Sequence, residues 1–177
     1  MSTSLAAEYV IISASLRGAS LSRIMAEALR DSYAKLGATH ALVDLREFVL
    51  PLCDAESAYD HAHVTTLSAL IEAARVVIVA TPIYNYDANA AAKNLVELTG
   101  SAWEDKVVGF LCAAGGSSSY MSIMGLANSL MLDFRCLVIP RFVYARGDDF
   151  TEKQKPTADL SRRIAQLAEA SVKIRNA

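Results

Sequence analysis

A chain of 177 residues, 53% of them hydrophobic, with 17 Lys and Arg against 19 Asp and Glu and a mean hydropathy of +0.27, can fill one sizeable core. A single domain over residues 1–177 is therefore expected. A formal charge of −2 and a pI near 5.9 lack the cationic excess that nucleic acid phosphates or anionic lipid demand, which removes nucleic acid and membrane from the expected partners. No apolar run reaches the roughly 18–20 residues of a membrane span. The start MSTSLAAEYV has neither the basic opening nor the apolar stretch of a secretory leader, so a cytoplasmic location is expected. Cys53, Cys112 and Cys136 are widely spaced and odd in number, and read as reduced, mostly buried thiols with no bound metal.

In chain order, the first apolar run is Tyr9-Val-Ile-Ile-Ser13, consecutive and β-branched, the pattern of a strand covered on both faces. Similar strands are expected at Ala41–Leu45, Val76–Ala80 and Val107–Cys112, with a fifth at Cys136–Ile139 stopped by Pro140. A helix follows the first strand, with Leu21, Ile24, Met25, Ala28, Leu29, Tyr33 and Leu36 on one face and Gly37 as its stop. Further helices are expected at about residues 60–74, Asn89–Leu98, Tyr120–Leu132 and Thr157–Ile174. The polar stretch Arg146–Pro156 reads as the loop before the last of these. Alternation of parallel strands with right-handed helical crossovers implies a three-layer α/β/α sandwich around a five-stranded parallel sheet. By strand count the order is flavodoxin-like, 2-1-3-4-5.

In such sheets ligands bind beyond the carboxyl ends of the strands, near the reversal in strand order. The first loop there, Ser13–Ser22, crowds four hydroxyls and Arg17 before a helix whose free N–H groups favour an anion. Its single glycine, Gly18, favours a monophosphate, wrapped by hydroxyls and neutralised by Arg17, over a dinucleotide pyrophosphate. The alternative is that Ser20 or Ser22 merely caps the helix. The second loop, Thr81–Asn89, offers Tyr84, Tyr86 and amide groups that suit a flat heteroaromatic ring, or else its tyrosines are anchors at a helix start. The third, Ala113–Ser119, pairs Gly115 and Gly116 with three serines and suits backbone contact with a ring edge.

Taken together these loops resemble the NADPH-dependent FMN reductase family of the flavodoxin-like superfamily. Ser15-Leu16-Arg17 with Ser20 and Ser22 is similar to that family's G-S-x-R-x-x-S-x-N loop, with Ala14 in place of glycine and Ser22 in place of asparagine. Pro82, Tyr84, Asn85, Lys93 and Asn94 match the frame P-x-Y-N-x-S-x-P-G-x-L-K-N without a gap, while Asp87, Asn89, Ala90 and Ala92 replace its Ser, Pro, Gly and Leu. Ala114-Gly115-Gly116 resembles the S-A-G-G segment, without the later glycine. The match covers roughly residues 8 to 140.

The resemblance implies a non-covalent FMN, its phosphate held by Ser15, Arg17, Ser20 and Ser22, its ring against Pro82, Ile83, Tyr84, Asn85, Gly115 and Gly116. It implies hydride transfer from NADPH or NADH through flavin N5 to a quinone, azo compound, free flavin or similar acceptor, in a ping-pong course that needs no side-chain acid or base. Tyr86, Asp87 and Asn89 stand on the expected substrate side. Family members are commonly dimers or tetramers. Ala90, Ala91 and Ala92 can pack closely against a symmetry mate, with Trp103 near the contact, unless the alanines face their own sheet. The alternatives are a flavodoxin-type electron carrier, for which the charge of −2 is weakly acidic, and a non-catalytic scaffold that has lost FMN.

Overall fold

The first apolar run forms β1, Tyr9–Ser13, buried at all five positions. It pairs in parallel with β2, His40–Asp44, on one side and with β3, Val76–Tyr84, on the other. β4, Asp87–Ala88, folds back antiparallel on the end of β3. On the next flank of β3 lies β5, Val107–Ala113, also parallel. This computed structural model describes residues 7–175; most of the start from which no leader is expected, residues 1–6, lies outside the described residues.

The far edge of β5 differs from expectation. The strand expected at Cys136–Ile139 is present as β6, Leu137–Val138, but the same edge continues after Pro140 as β7, Val143–Ala145. Val108 faces Val138 and Leu111 faces Val143, so residues 139–142 stand opposite Gly109 and Phe110 alone. Pro140 sits in that bulge, where its missing N–H removes no ladder bond. A Cβ at Gly109 would lie 2.7 Å from Ile78 Cδ1 and 3.3 Å from both Ile139 Cδ1 and Leu167 Cδ1, so those side-chain ends would have to shift to admit one. With β6 and β7 as two halves of one edge strand, the order β2-β1-β3-β5-β6 is that of a flavodoxin-like sheet, extended by the small β4 arm.

Consecutive strand residues alternate between two cores. Val10, Ile12, Val77, Val79, Val108 and Phe110 point toward α2 (Ala62–Ala73), α3 (Ala90–Thr99) and α4 (Met124–Phe134). Tyr9, Ile11, Ile78 and Leu111 point toward α1 (Leu21–Lys35) and α5 (Ala158–Lys173), meeting Met25, Leu29, Tyr33, Ile164 and Leu167. Each fully buried large side chain contributes about 1.5–3 kcal/mol, so both faces stabilise the sheet. α1 ends as its sequence predicts, with Gly37 at a φ of +68°. α4 begins four residues later than expected, because residues 120–123 form turns closed by Ser122 N–H to Ser119 O and Met124 N–H to Met121 O.

His61 caps α2 by accepting from His63 N–H at 3.2 Å, which makes a polar start to the helix. Cys112 and Cys136 are buried, Cys53 is half-buried, and all three are free. Burial pushes the Cys112 thiol up to about 12, which leaves it protonated and inert at neutral pH. Among the described residues no helix is long and apolar enough to cross a membrane, and no cluster of His, Cys, Asp or Glu is arranged to hold a metal ion.

Candidate functional site

β1 delivers the first loop to the carboxyl edge of the sheet beside β3, and the chain turns at Ser15–Ser20 before entering α1. Ser15 Oγ accepts from Arg17 N–H at 3.3 Å, and Ser20 Oγ accepts from Arg23 N–H at 3.3 Å as the N-cap of α1. An accepting hydroxyl keeps its own proton for another partner. Ser22 is fully buried and its hydroxyl meets that of Ser20 at 2.9 Å, so it bears on the loop through Ser20. Leu21 and Ser22 occupy the first turn, where backbone N–H groups have no helical acceptor. Arg17 is exposed, and its guanidinium has no hydrogen bond or ion pair among the described residues. Capping and anion binding, alternatives in the sequence, are thus compatible at Ser20.

A brace behind this loop escaped sequence reading. Asp44, buried at the end of β2, receives Arg23 at 2.5 Å and Arg46 at 2.6 Å, and Arg46 Nη1 donates to Gly18 O at 3.3 Å. Two guanidiniums on one buried carboxylate form charge-assisted bonds that hold the loop's outer turn from behind. The signal was Asp-Leu-Arg at the carboxyl end of a strand beside the switch point.

The second loop is a hairpin. Ile83 pairs with Ala88 and Tyr84 with Asp87, leaving Asn85 and Tyr86 as a two-residue turn with φ of +50° and +67°. Both values are those of a type I′ turn, in which asparagine is favoured first and a tyrosine second is strained. Asn85 therefore builds the turn, and it projects Tyr84 and Tyr86 outward, 52% and 58% exposed. Asp87 is exposed and its Oδ1 accepts from Ala88 N–H at 2.7 Å. Asn89, expected on the substrate side, is instead buried: at 7% exposed it caps α3, and its amide bonds to Ala14, Thr81 and Ala92 inside the protein. A side chain so committed has no free group to offer an acceptor.

The third loop leaves β5 at Ala113. Tyr144, from β7, donates to Gly116 O and bonds Ser119 Oγ at 2.7 Å, while Tyr120 packs edge-on against Tyr144 at 5.5 Å. Tyr144 thereby anchors the glycine turn to the edge strand. It was missed because β7 was not expected. Gly115 and Gly116 have no atom within 4 Å of a Cβ position, so open space lies beside them.

The three loops enclose a cleft of about 350 Å³. Ser15, Arg17, Ser20 and Ser22, with Ala19 and Leu21 between them, line it from the first loop; Pro82, Ile83 and Tyr84 line it from the second and Ala113, Ala114 and Gly115 from the third. Asn85, Gly116, Tyr86 and Asp87 are outside that lining. The size suits a mononucleotide cofactor. Its lining suits FMN in particular: an unpaired arginine, hydroxyls and helical N–H groups from the first loop for a phosphate, flat apolar walls from the other two for a ring. A larger apolar groove of about 510 Å³, with Leu16, Phe48, Val49, Leu52, Ala90 and Ala91 among its walls, opens nearby; its only charged lining residue, Arg46, is already paired with Asp44.

Residues 8–151 match the family model described as NADPH-dependent FMN reductase. An NAD(P)H-dependent FAD/FMN reductase of Geobacillus thermodenitrificans (strain NG80-2) is 31% identical over 131 residues, covering 72% of this chain and 70% of that protein. Among solved structures, an NADH:FMN oxidoreductase in its apo form superposes with a TM-score of 0.79 at 15% identity, over 97% of this chain and 91% of that one. A flavodoxin from the domain Archaea superposes with a TM-score of 0.65 at 14% identity, over 93% and 96% of the two chains, and shares the fold. The chain therefore belongs to the NADPH-dependent FMN reductase family, as an oxidoreductase whose cofactor is FMN and whose reductant is NAD(P)H.

Proposed function

We propose that the cleft holds FMN with its phosphate on Ser15, Arg17, Ser20 and, through Ser20, Ser22, and its ring along Pro82, Ile83, Tyr84, Asn85, Gly115 and Gly116. The observation that carries this reading is the meeting, in one cleft, of the unpaired Arg17 with the flat wall Pro82–Tyr84. FMN bound there supplies the redox chemistry, passing electrons from NADPH or NADH to a quinone, azo compound, free flavin or similar acceptor. The chain's own groups position and neutralise. Arg17 offsets the phosphate charge, the α1 dipole adds to it, and Tyr144 holds the glycine turn in place. Tyr86 and Asp87, exposed at the hairpin tip, form the acceptor side. No acid–base pair is required of the protein.

With FMN held in this one cleft, reductant and acceptor would share its opening, their occupancies would exclude each other, and turnover would follow a ping-pong course. Initial rates at several fixed quinone concentrations with varied NADPH are expected to give parallel double-reciprocal lines. Intersecting lines would mean a ternary complex and a second pocket. Absence of NADPH or NADH oxidation with every acceptor would favour the electron carrier or the scaffold.

The protein is further proposed to act in the cytoplasm as a homodimer or homotetramer of single-domain subunits. The apolar groove supports this, since Leu16, Val49 and Leu52 on its rim are 63%, 76% and 82% exposed and large contiguous apolar surface marks an interaction site. Ala90 and Ala91 face this groove, which supports their packing against a symmetry mate, while Ala92 is buried within its own subunit. Light scattering at micromolar concentration is expected to give at least twice the 19.0 kDa chain mass. A mass of one chain would remove the assembly.

A further inference from the structure

Asn89 joins parts of the cleft that the backbone leaves separate. Its Nδ2 donates to Ala14 O at 2.8 Å, where β1 becomes the phosphate-side loop. Its Oδ1 accepts from Ala92 N–H at 3.3 Å in α3 and from Thr81 Oγ1 at 2.9 Å in β3, just before the ring-side wall, the one Thr81 hydroxyl proton being shared with Pro82 O at 3.0 Å. Thr81 Oγ1 in turn accepts from Asn89 N–H at 3.3 Å. The amide orientation is fixed by chemistry, because a carbonyl can only accept and a backbone N–H can only donate. Both side chains are buried, Thr81 completely.

Capping alone does not account for an asparagine. Serine, threonine or aspartate would accept from Ala92 N–H equally well, but the bond to Ala14 needs an NH₂ donor of this reach. Aspartate would set a carboxylate oxygen against the Ala14 carbonyl. The proline usual at this place in the family pattern could make neither side-chain bond.

We propose that Asn89 is a positioning residue whose carboxamide, by bonding Ala14 O and Thr81 Oγ1 at once, sets the separation of the phosphate-side and ring-side walls of the cleft. This rests on the reading of the cleft as the FMN site. A flavin that must reach both walls depends on that separation, whereas a flavin lacking the phosphate depends chiefly on the ring-side wall. The ratio of FMN to riboflavin affinity therefore reports the tie.

The test is fluorescence titration of the flavin-free protein with FMN and with riboflavin, in wild type, Asn89→Ser, Thr81→Val and Arg17→Ala. Serine keeps the cap and loses the reach to Ala14. Its FMN affinity is expected to fall about tenfold, as for one or two lost hydrogen bonds, with riboflavin affinity retained within about twofold. Thr81→Val, nearly isosteric, is expected to lower the same ratio and serves if the serine variant does not fold. An unchanged ratio in either folded variant, including equal losses for both flavins, would overturn the proposal and leave a purely structural asparagine. Wild type that binds neither flavin would overturn the FMN reading itself. Wild type that binds FMN and an Arg17→Ala variant that loses it, beside an Asn89→Ser variant with the wild-type ratio, would remove Asn89 alone.

Discussion

Arg17→Ala is expected to weaken FMN binding by about 1.5–3 kcal/mol, the range for a hydrogen bond to a charged group, which is roughly ten- to a hundredfold or slightly more in dissociation constant. The size follows from what surrounds the guanidinium. It has no ionic partner among the described residues, so none of them compensates for its charge by direct contact, and Ser15 and Ser20 have only neutral hydroxyls to leave behind. For the same reason the fold does not depend on it, and the variant's unfolding midpoint should shift by little, as exposed substitutions do. Fluorescence quenching of FMN measures the loss, with riboflavin as the control that lacks the phosphate. An unchanged FMN dissociation constant would take Arg17 out of the site.

Trp103→Ala is expected to destabilise the protein by about 3–5 kcal/mol, the cost of removing a large aromatic from a packed core. Trp103 is fully buried among the helices on the α3 face. Its Nε1–H donates to Thr99 Oγ1 at 2.7 Å, and that hydroxyl donates to Leu95 O at 2.7 Å, which joins the ring to the end of α3. Cys136 Sγ lies 3.1 Å from Trp103 O on the opposite side. Trp103 is expected near a subunit contact; the ring itself is covered by its own chain, so it would support such a contact from beneath the surface. Urea unfolding measures the effect. A loss below about 1 kcal/mol, accompanied by dissociation of the assembly, would point to a direct contact role instead.

The residues that were legible in the sequence are those whose environment is set by their own neighbours in the chain. β1, β3 and β5 are runs of consecutive apolar residues because helices cover both of their faces, and α1 and α5 carry one apolar stripe each. The three loops are legible because a parallel sheet brings the carboxyl ends of adjacent strands together whatever the side chains are. Ser15, Arg17 and Ser20 consequently line one cleft with Pro82, Ile83, Tyr84 and Gly115.

What stayed hidden depends on partners distant in sequence. The continuation of the edge strand as β7 is masked by Pro140, which ends the ladder locally while the chain bulges past it. Asp44 and Arg46 read as an ordinary polar pair until β2 is placed beside β1. Asn89 reads as an exposed loop amide, since nothing adjacent announces that Ala14 O lies within its reach. Asn85, expected against a ring, is held in its left-handed conformation by the hairpin and acts first as a turn residue.

The most direct test of the central claim, that one cleft binds FMN and puts it to work with a pyridine nucleotide, is an anaerobic titration of the FMN-loaded protein with NADPH and, in parallel, NADH. The visible flavin absorbance is expected to bleach with about one equivalent of at least one nucleotide and to return when a quinone is added, as for a two-electron flavin oxidoreductase. Protein that takes up no FMN, or whose bound FMN keeps its colour with excess of both nucleotides, would contradict it.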